Sequence, residues 1–367
     1  MAFLPLFMHV AIDVREACKA ERTGKGQWVY GLMTELLARN FPVTCFTDTP
    51  LPFGWQEAGA VQVLIPFSGW KWHMRVASLL RNQSHSTVYV SPTSYLVPYL
   101  LRRRFPYVPV VHDLIAFRKE PHNRKARFIE RLTLSRTLQN ARHIFTVSAS
   151  TKKDLLAQYP SLSSHHVTPV FAGPMHASSE PSKPGGNTIV CVATLCPRKN
   201  QVRLIQAYAL LPEYLRARYR LVLAGSRGWQ DDDILQLIDS TPGVEWKKYI
   251  TDAEYGQLLG SATVFALPSL YEGFGLPVLD ALACGVPVLT SDRGSLREVA
   301  GDAAYMVNPE SVESIAHGLE RLLVEQTLRE RLSAAGPAQA AHFTWQRTAD
   351  TVISVLEQIH AVTIARP

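Results

Sequence analysis

Strand-length apolar runs alternate with longer helical patterns along this chain, and the alternation runs twice. Runs at 10–12, 43–46, 61–65, 88–90, 108–111 and 143–147 are interspersed with helical spacing at 29–39 and an arginine-rich segment at 126–138. Residues 173–187 then break the pattern with three Pro, three Gly and three Ser. The alternation resumes with runs at 188–193, 220–224, 244–246, 262–267 and 286–290, and helical patterns at 202–211, 232–238 and 252–259. Strands alternating with helices imply a mostly parallel sheet covered on both faces. At 367 residues the chain exceeds one core and fits two domains of ~150–200 residues. The expectation is an α/β protein of two Rossmann-like, doubly wound domains, 1–172 and 188–343, joined by a linker at 173–187 and facing a central cleft. Residues 344–367 carry helical apolar spacing at Trp345, Val352, Val355, Leu356 and Ile359.

Charge separates the two halves. Residues 1–172 hold 21 Lys and Arg against 10 Asp and Glu, whereas residues 173–367 hold 17 against 21. A basic half and a mildly acidic half suit two different ligands. The cations gather at Arg102, Arg103 and Arg104 and between Arg118 and Arg136, a face able to meet an anionic surface or a phosphorylated substrate. No apolar run is long enough to cross a bilayer. The apolar start runs into Asp13 and Arg15 without a basic leader, so it reads as a first strand and not as a signal peptide. Five scattered cysteines without C-x-x-C spacing read as reduced thiols of a cytoplasmic protein.

The richest stretch is 268–287, PSLYEGFGLPVLDALACGVP, which follows the apolar run 262–267 and opens a helix at Pro277. Pro is favoured in a first helical turn, where its missing N–H would have had no partner. Gly273 and Gly275 admit a ligand close to the backbone, and the amides of a helix start attract an anion. Glu272 precedes the glycines and Asp280 lies one turn into the helix. Phosphate-seeking amides bracketed by carboxylates suit a nucleotide sugar.

Further candidates sit at predicted strand ends, where doubly wound sheets bind ligands. Gly24 and Gly26 form a G-x-G loop at 23–28 after the first strand; it lacks the third glycine of a dinucleotide fingerprint. Arg198 and Lys199 follow the first strand of the second half, a bidentate fork beside a point charge, and suit a diphosphate. His112 ends the run 108–111 and is placed to donate to a sugar hydroxyl or a developing charge, with Asp113 as a competing helix cap. Asp231, Asp232 and Asp233 open a helix and read as capping residues, not as a metal site.

With these residues in view, the chain resembles a retaining GT-B glycosyltransferase of glycosyltransferase family four. The resemblance covers nearly the whole length. Its strongest piece is Glu272-Gly-Phe-Gly-Leu-Pro-Val-Leu-Asp280, similar to that family's E-x7-E signature, supported by 23–28, 112–114, 146–148, 197–200 and 287–301. The chain departs from the pattern at Asp280, one methylene shorter than Glu, at Ala193 and Cys196, and at Ala172-Gly173.

The resemblance implies that Glu272 contacts the donor sugar and that the backbone of Phe274, Gly275 and Leu276 meets its hydroxyls. It implies that Asp280 takes the ribose, Arg198 and Lys199 hold the diphosphate, and His112 faces the sugar from the first domain. Gly24 and Gly26 would let their loop approach the phosphates. It also implies a metal-independent transfer of a hexose, with GDP-mannose suggested by the Pro-Arg-Lys-Asn form, to a glycan or lipid-linked acceptor in cell-surface polysaccharide synthesis. The expected partners are donor, acceptor and an anionic membrane face, with no nucleic acid and no cofactor. Competing readings are another GT-B enzyme, such as a sugar-nucleotide epimerase, and a non-catalytic binder of anionic ligands. The C-terminal helix is expected to pack back on the first domain.

Overall fold

A computed structural model describes residues 8–83, 86–118, 124–176 and 186–364. The described residues divide into two compact units: one holds those within 8–118 and 124–172 together with the helix Trp345–Ile364, the other those within 173–344. Residues 177–185 of the expected linker lie outside the described residues.

In the first unit the strands are β1 (His9–Asp13), β2 (Val43–Thr47), β3 (Val61–Leu64), β4 (Thr87–Ser91), β5 (Tyr107–Val111), β6 (Ile144–Thr146) and β7 (Val167–Pro169). They form one parallel sheet in the order β3-β2-β1-β4-β5-β6-β7. The order turns between β1 and β4, so their carboxyl ends border the crevice where such sheets take ligands. Trp72, Val76, Ala77 and Leu80 bury the inner stripe of the helix Gly69–Leu80 with Phe46, Tyr89 and Tyr107. A second cluster joins Val111, Ile144 and Val167 to Leu134, Leu138 and Leu155. The C-terminal helix docks where Gly31 leaves room: a Cβ there would run into the Trp345 indole. Arg39 Nη1 reaches Asp350 at 2.9 Å, and the Thr348 hydroxyl donates to the Phe171 carbonyl at 2.9 Å.

The second unit contains β8 (Thr188–Val192), β9 (Arg220–Ala224), β10 (Val244–Lys247), β11 (Val264–Leu267), β12 (Val288–Ser291) and β13 (Ala304–Val307). All pairs are parallel, in the order β10-β9-β8-β11-β12-β13, and here the order turns between β8 and β11. Ile189, Val190, Val264, Phe265 and Val288 are fully buried, as strands covered on both faces must be.

The structure adds β7 and β13 to the strands read from sequence, each only three or four residues long. It also moves the start of the first helix. The segment 23–28, read as a glycine loop, is the opening of the helix Gly24–Ala38 with Thr23 at its N-cap. Gly26 is required there for packing, because a Cβ would collide with the Glu16 carbonyl, whereas Gly24 faces open space.

Candidate functional site

In the second unit, two loops leave the sheet at its switch point. One follows β8 and turns through the short helical segment Pro197–Lys199; the other follows β11 and carries 268–275. Asn200 ties them together. It sits in the left-handed region at φ 64°, and its Nδ2 donates to the Pro268 carbonyl at 2.9 Å and the Pro309 carbonyl at 2.7 Å.

The tie brings three charges into contact. Arg198 Nη1 lies 2.7 Å from Glu272 Oε2 and also donates to the Tyr271 carbonyl at 2.8 Å. Lys199 Nζ lies 2.6 Å from Glu272 Oε1, and the Ser269 hydroxyl donates to that oxygen at 2.7 Å. Burial alone would push the Glu272 carboxyl up, but Arg198 and Lys199 outweigh it and hold the group at about 2. Glu272 is therefore a carboxylate throughout the physiological range. It accepts hydrogen bonds and does not deliver a proton.

Behind it, Ser295 donates to the Phe274 carbonyl at 2.7 Å and to the Glu272 carbonyl at 3.1 Å, fixing the glycine turn from below. Gly275 takes φ 106°, which an L side chain rarely adopts, and a Cβ would come 2.7 Å from Leu296 Cδ2. That turn starts the helix Leu276–Ala283, with Pro277 in its first turn. The amides of Gly275 and Leu276 thus open a helix whose dipole favours an anion. The Phe274 ring packs edge-on against Phe343 at 5.8 Å. Ser269 and Ser295 were not singled out in the sequence. Both fall inside stretches that were, and short hydroxyls beside glycines read as turn residues.

Asp280 is tied to the chain around it. Its Oδ1 accepts the amides of Met175 at 2.7 Å and His176 at 3.3 Å, and Oδ2 accepts the Tyr255 hydroxyl at 3.2 Å. The carboxyl is buried, and burial pushes it up to about 7. Its role in the structure is to fasten the segment that enters the second unit.

His112 follows β5 in the first unit. Its Nε2 lies 2.7 Å from the Pro92 carbonyl, which can only accept, so Nε2 carries the proton. Burial, with Lys25 second, pushes the imidazole down to about 3. A neutral ring with Nε2–H on the Pro92 carbonyl leaves a lone pair at Nδ1, able to accept from a hydroxyl. Trp28 from the glycine-led helix stands edge-on to it at 5.7 Å. Asp113 accepts the Ile115 amide at 3.1 Å, the turn role that competed for it. Asp231 pairs with Arg227 at 2.9 Å instead of capping its helix, while Asp232 and Asp233 occupy the first turn.

A doubly wound pair of units, the second presenting two cations and a glycine-led helix start at its switch point, has the parts expected of a sugar transferase of the GT-B class. Comparison with known proteins gives the family. Residues 23–172 match the description "Glycosyltransferase Family 4" and residues 176–339 match "Glycosyl transferases group 1". The chain is 34% identical to O-antigen chain mannosyltransferase B of Escherichia coli over 285 residues, 73% of each chain. Among solved structures it is similar to sucrose-phosphate synthase from Thermosynechococcus elongatus, with a TM-score of 0.79 at 17% identity over 97% of this chain and 100% of that one. It is also similar to Anabaena HepE in complex with UDP and glucose, with a TM-score of 0.75 at 15% identity over 96% and 100%. The chain belongs to the group 1 glycosyltransferases of the family-four type, and it is a glycosyltransferase of GT-B fold.

Proposed function

We propose that this enzyme moves a hexose, mannose before others, from a nucleoside-diphosphate sugar to a hydroxyl of a glycan or lipid-linked acceptor, with retention of anomeric configuration and without a metal. The observation that carries the reading is the contact of Arg198 and Lys199 with Glu272 where β8 and β11 end. O-antigen and cell-surface polysaccharide synthesis is the proposed setting, supported by the name of the 34% identical relative.

In the proposed reaction the bond from the sugar C1 to the diphosphate oxygen breaks, and its electron pair passes to the departing diphosphate. Arg198, Lys199 and the helix start at Gly275 stabilise that charge, usually the largest single contribution in such a transfer. Glu272 releases part of its hold on the cations and accepts a hydroxyl of the donor sugar. Retention by a covalent route needs a second carboxylate ~5 Å across the scissile bond. Asp280 is buried on Met175, His176 and Tyr255, so attack on the same face, with the leaving phosphate taking the acceptor proton, is the route this loop favours.

The reading is tested by incubating the purified chain with GDP-mannose and a mannose-terminated glycoside, with and without EDTA. An α-linked product formed equally under both conditions supports it. Conversion of the donor sugar without acceptor would instead indicate an epimerase.

Peripheral attachment at the inner face of the membrane belongs to the same proposal. No helix among the described residues is long and apolar enough to cross a membrane. Phe67 (46% exposed), Trp70 (50%) and Met74 (51%) stand outward beside exposed Lys71 and Arg75, an aromatic and basic pattern that suits a lipid interface. Sedimentation with anionic but not neutral vesicles at low salt is the expected result, and no sedimentation would refute attachment.

A further inference from the structure

The first unit carries its own arginine–carboxylate cluster at the point where its strand order turns, between β1 and β4. Asp13 ends β1, and its fully buried carboxylate receives Arg15 twice, from Nε to Oδ1 at 3.0 Å and from Nη2 to Oδ2 at 2.8 Å. Thr93, beyond the end of β4, donates its hydroxyl to Oδ2 at 3.1 Å. The guanidinium lies over Trp72, with Cζ 3.4 Å from the ring centroid.

His73 closes the cluster. Its Nδ1 lies 2.8 Å from the Gly69 carbonyl, an acceptor only, so Nδ1 holds the proton and Nε2 a lone pair. That lone pair faces Arg15 Nη2 at 3.3 Å and the Ser94 hydroxyl at 3.2 Å. Burial favours the same neutral ring. Nε and Nη2 of Arg15 are thus engaged, Nη1 makes no hydrogen bond among the described residues, and the side chain keeps 17% exposure. The Trp72 Nε1 beneath it is buried without a partner among the described residues. A buried donor left without a partner in a stable fold asks for an explanation, and an adjoining ligand site is one.

Charge decides what such a site would take. At the second unit's switch point two cations share one carboxylate, which leaves a surplus that attracts an anion. At the first unit's switch point one cation meets one carboxylate beside a neutral imidazole, so the Arg15 guanidinium is presented in a cluster of no net charge. An anion gains little from a balanced pair, whereas a neutral hydroxyl gains a well-oriented donor held by a planar fork.

We infer that Arg15, fixed by Asp13, His73 and Trp72, is the acceptor-binding donor of this enzyme and takes a hydroxyl of a neutral sugar ring through Nη1. This rests on the glycosyl-transfer reading above for the word acceptor, but the binding event itself does not depend on it. Arg15 acts as a specificity residue for the sugar being extended and leaves the diphosphate to Arg198 and Lys199.

The test uses the full chain and three neutral probes: the methyl glycosides of α-mannobiose, α-galactobiose and α-glucobiose. Binding is read by saturation-transfer NMR, with GDP-induced thermal shift as a separate readout. The parent should bind at least one probe. Arg15→Lys, which keeps the ion pair with Asp13 but loses the outward fork, should weaken that probe at least tenfold and leave the GDP shift unchanged. Should Arg15→Lys fail to fold, Asp13→Asn/Arg15→Gln removes both charges together and carries the same expectation. A parent that ignores all three glycosides overturns the inference, as does a variant that binds within twofold of the parent. Inorganic phosphate bound through Arg15 more tightly than any glycoside also overturns it. Absence of any GDP shift in the parent would count against the donor reading alone.

Discussion

Lys199 Nζ and Glu272 Oε1 lie 2.6 Å apart across the end of the second sheet, with Arg198 on the other carboxylate oxygen. One buried anion thus holds two cations in place, and the arrangement has a consequence for substitutions. Removing the anion strands two partly buried positive charges, which typically costs ~3–5 kcal/mol. Glu272→Gln should therefore melt well below the parent and regain more stability from added pyrophosphate than the parent does. Differential scanning fluorimetry with and without pyrophosphate checks this, and an equal ligand-induced shift in both proteins would contradict it.

Truncating Glu272 altogether should also impair catalysis, for a separate reason. Glu272 holds Arg198 and Lys199 in place, and losing one well-placed donor at a developing negative charge typically costs 10²–10³ in kcat, or ~3–4 kcal/mol in the barrier. We expect Glu272→Ala to lower kcat by about that factor. Steady-state kinetics at saturating donor decide the matter, and full activity would remove Glu272 from the site.

His112 sets a pH dependence whose sign is fixed by its environment. Its folded value is pushed down to about 3 while an unfolded histidine titrates near 6.5. The unfolded chain therefore takes the proton first, so this contribution is fully present above 6.5 and is lost as pH falls toward 3. The loss amounts to about 1.4 kcal/mol per pH unit below 6.5. His112→Gln should flatten the stability profile between pH 6.5 and 5 by that slope. Asp280, raised to about 7, contributes in the opposite sense, losing stability as pH rises from the ordinary carboxylate range to 7. Comparing urea unfolding of the variant with the parent isolates the histidine, and parallel profiles would refute the assignment.

Asp280 is expected to act as a fastener. Asp280→Ala leaves the amides of Met175 and His176 and the Tyr255 hydroxyl without their acceptor, a cost of ~1–3 kcal/mol. Hydrogen exchange at Met175 and His176 should speed up in Asp280→Ala and stay near the parent rate in Asp280→Asn. Equal protection in all three proteins would show that the contact is unimportant.

Gly31 offers a stability test remote from any ligand. An added methyl there meets the Trp345 indole, so Gly31→Ala should destabilise by ~1–3 kcal/mol through overpacking. Gly31→Ala/Trp345→Leu should recover part of that loss in urea unfolding.

The alternating pattern made both sheets legible because apolar runs covered on two faces have no other soluble explanation. β7 and β13 escaped because three or four half-covered residues, one of them Pro169, carry almost no periodic signal. The helix Val312–Val324 did carry one, with Ile315, Leu319, Leu322 and Leu323 on one face, and it went unread. The stretch 23–28 misled because two glycines look like a loop, whereas Gly26 is there to let the helix pass the Glu16 carbonyl. Arg198, Lys199 and Glu272 could be named from sequence since each follows a strand. Their contact with one another could not, and neither could the distant pairings Asp280 with Met175 or Arg15 with His73, because those are products of the chain's return path.

Titration of inorganic pyrophosphate into the full chain by calorimetry, parent against Arg198→Gln/Lys199→Gln, tests the donor site without any assumption about base or sugar. The account predicts salt-sensitive binding by the parent and at least a hundredfold loss in the double variant. Equal affinity in the two proteins would contradict it.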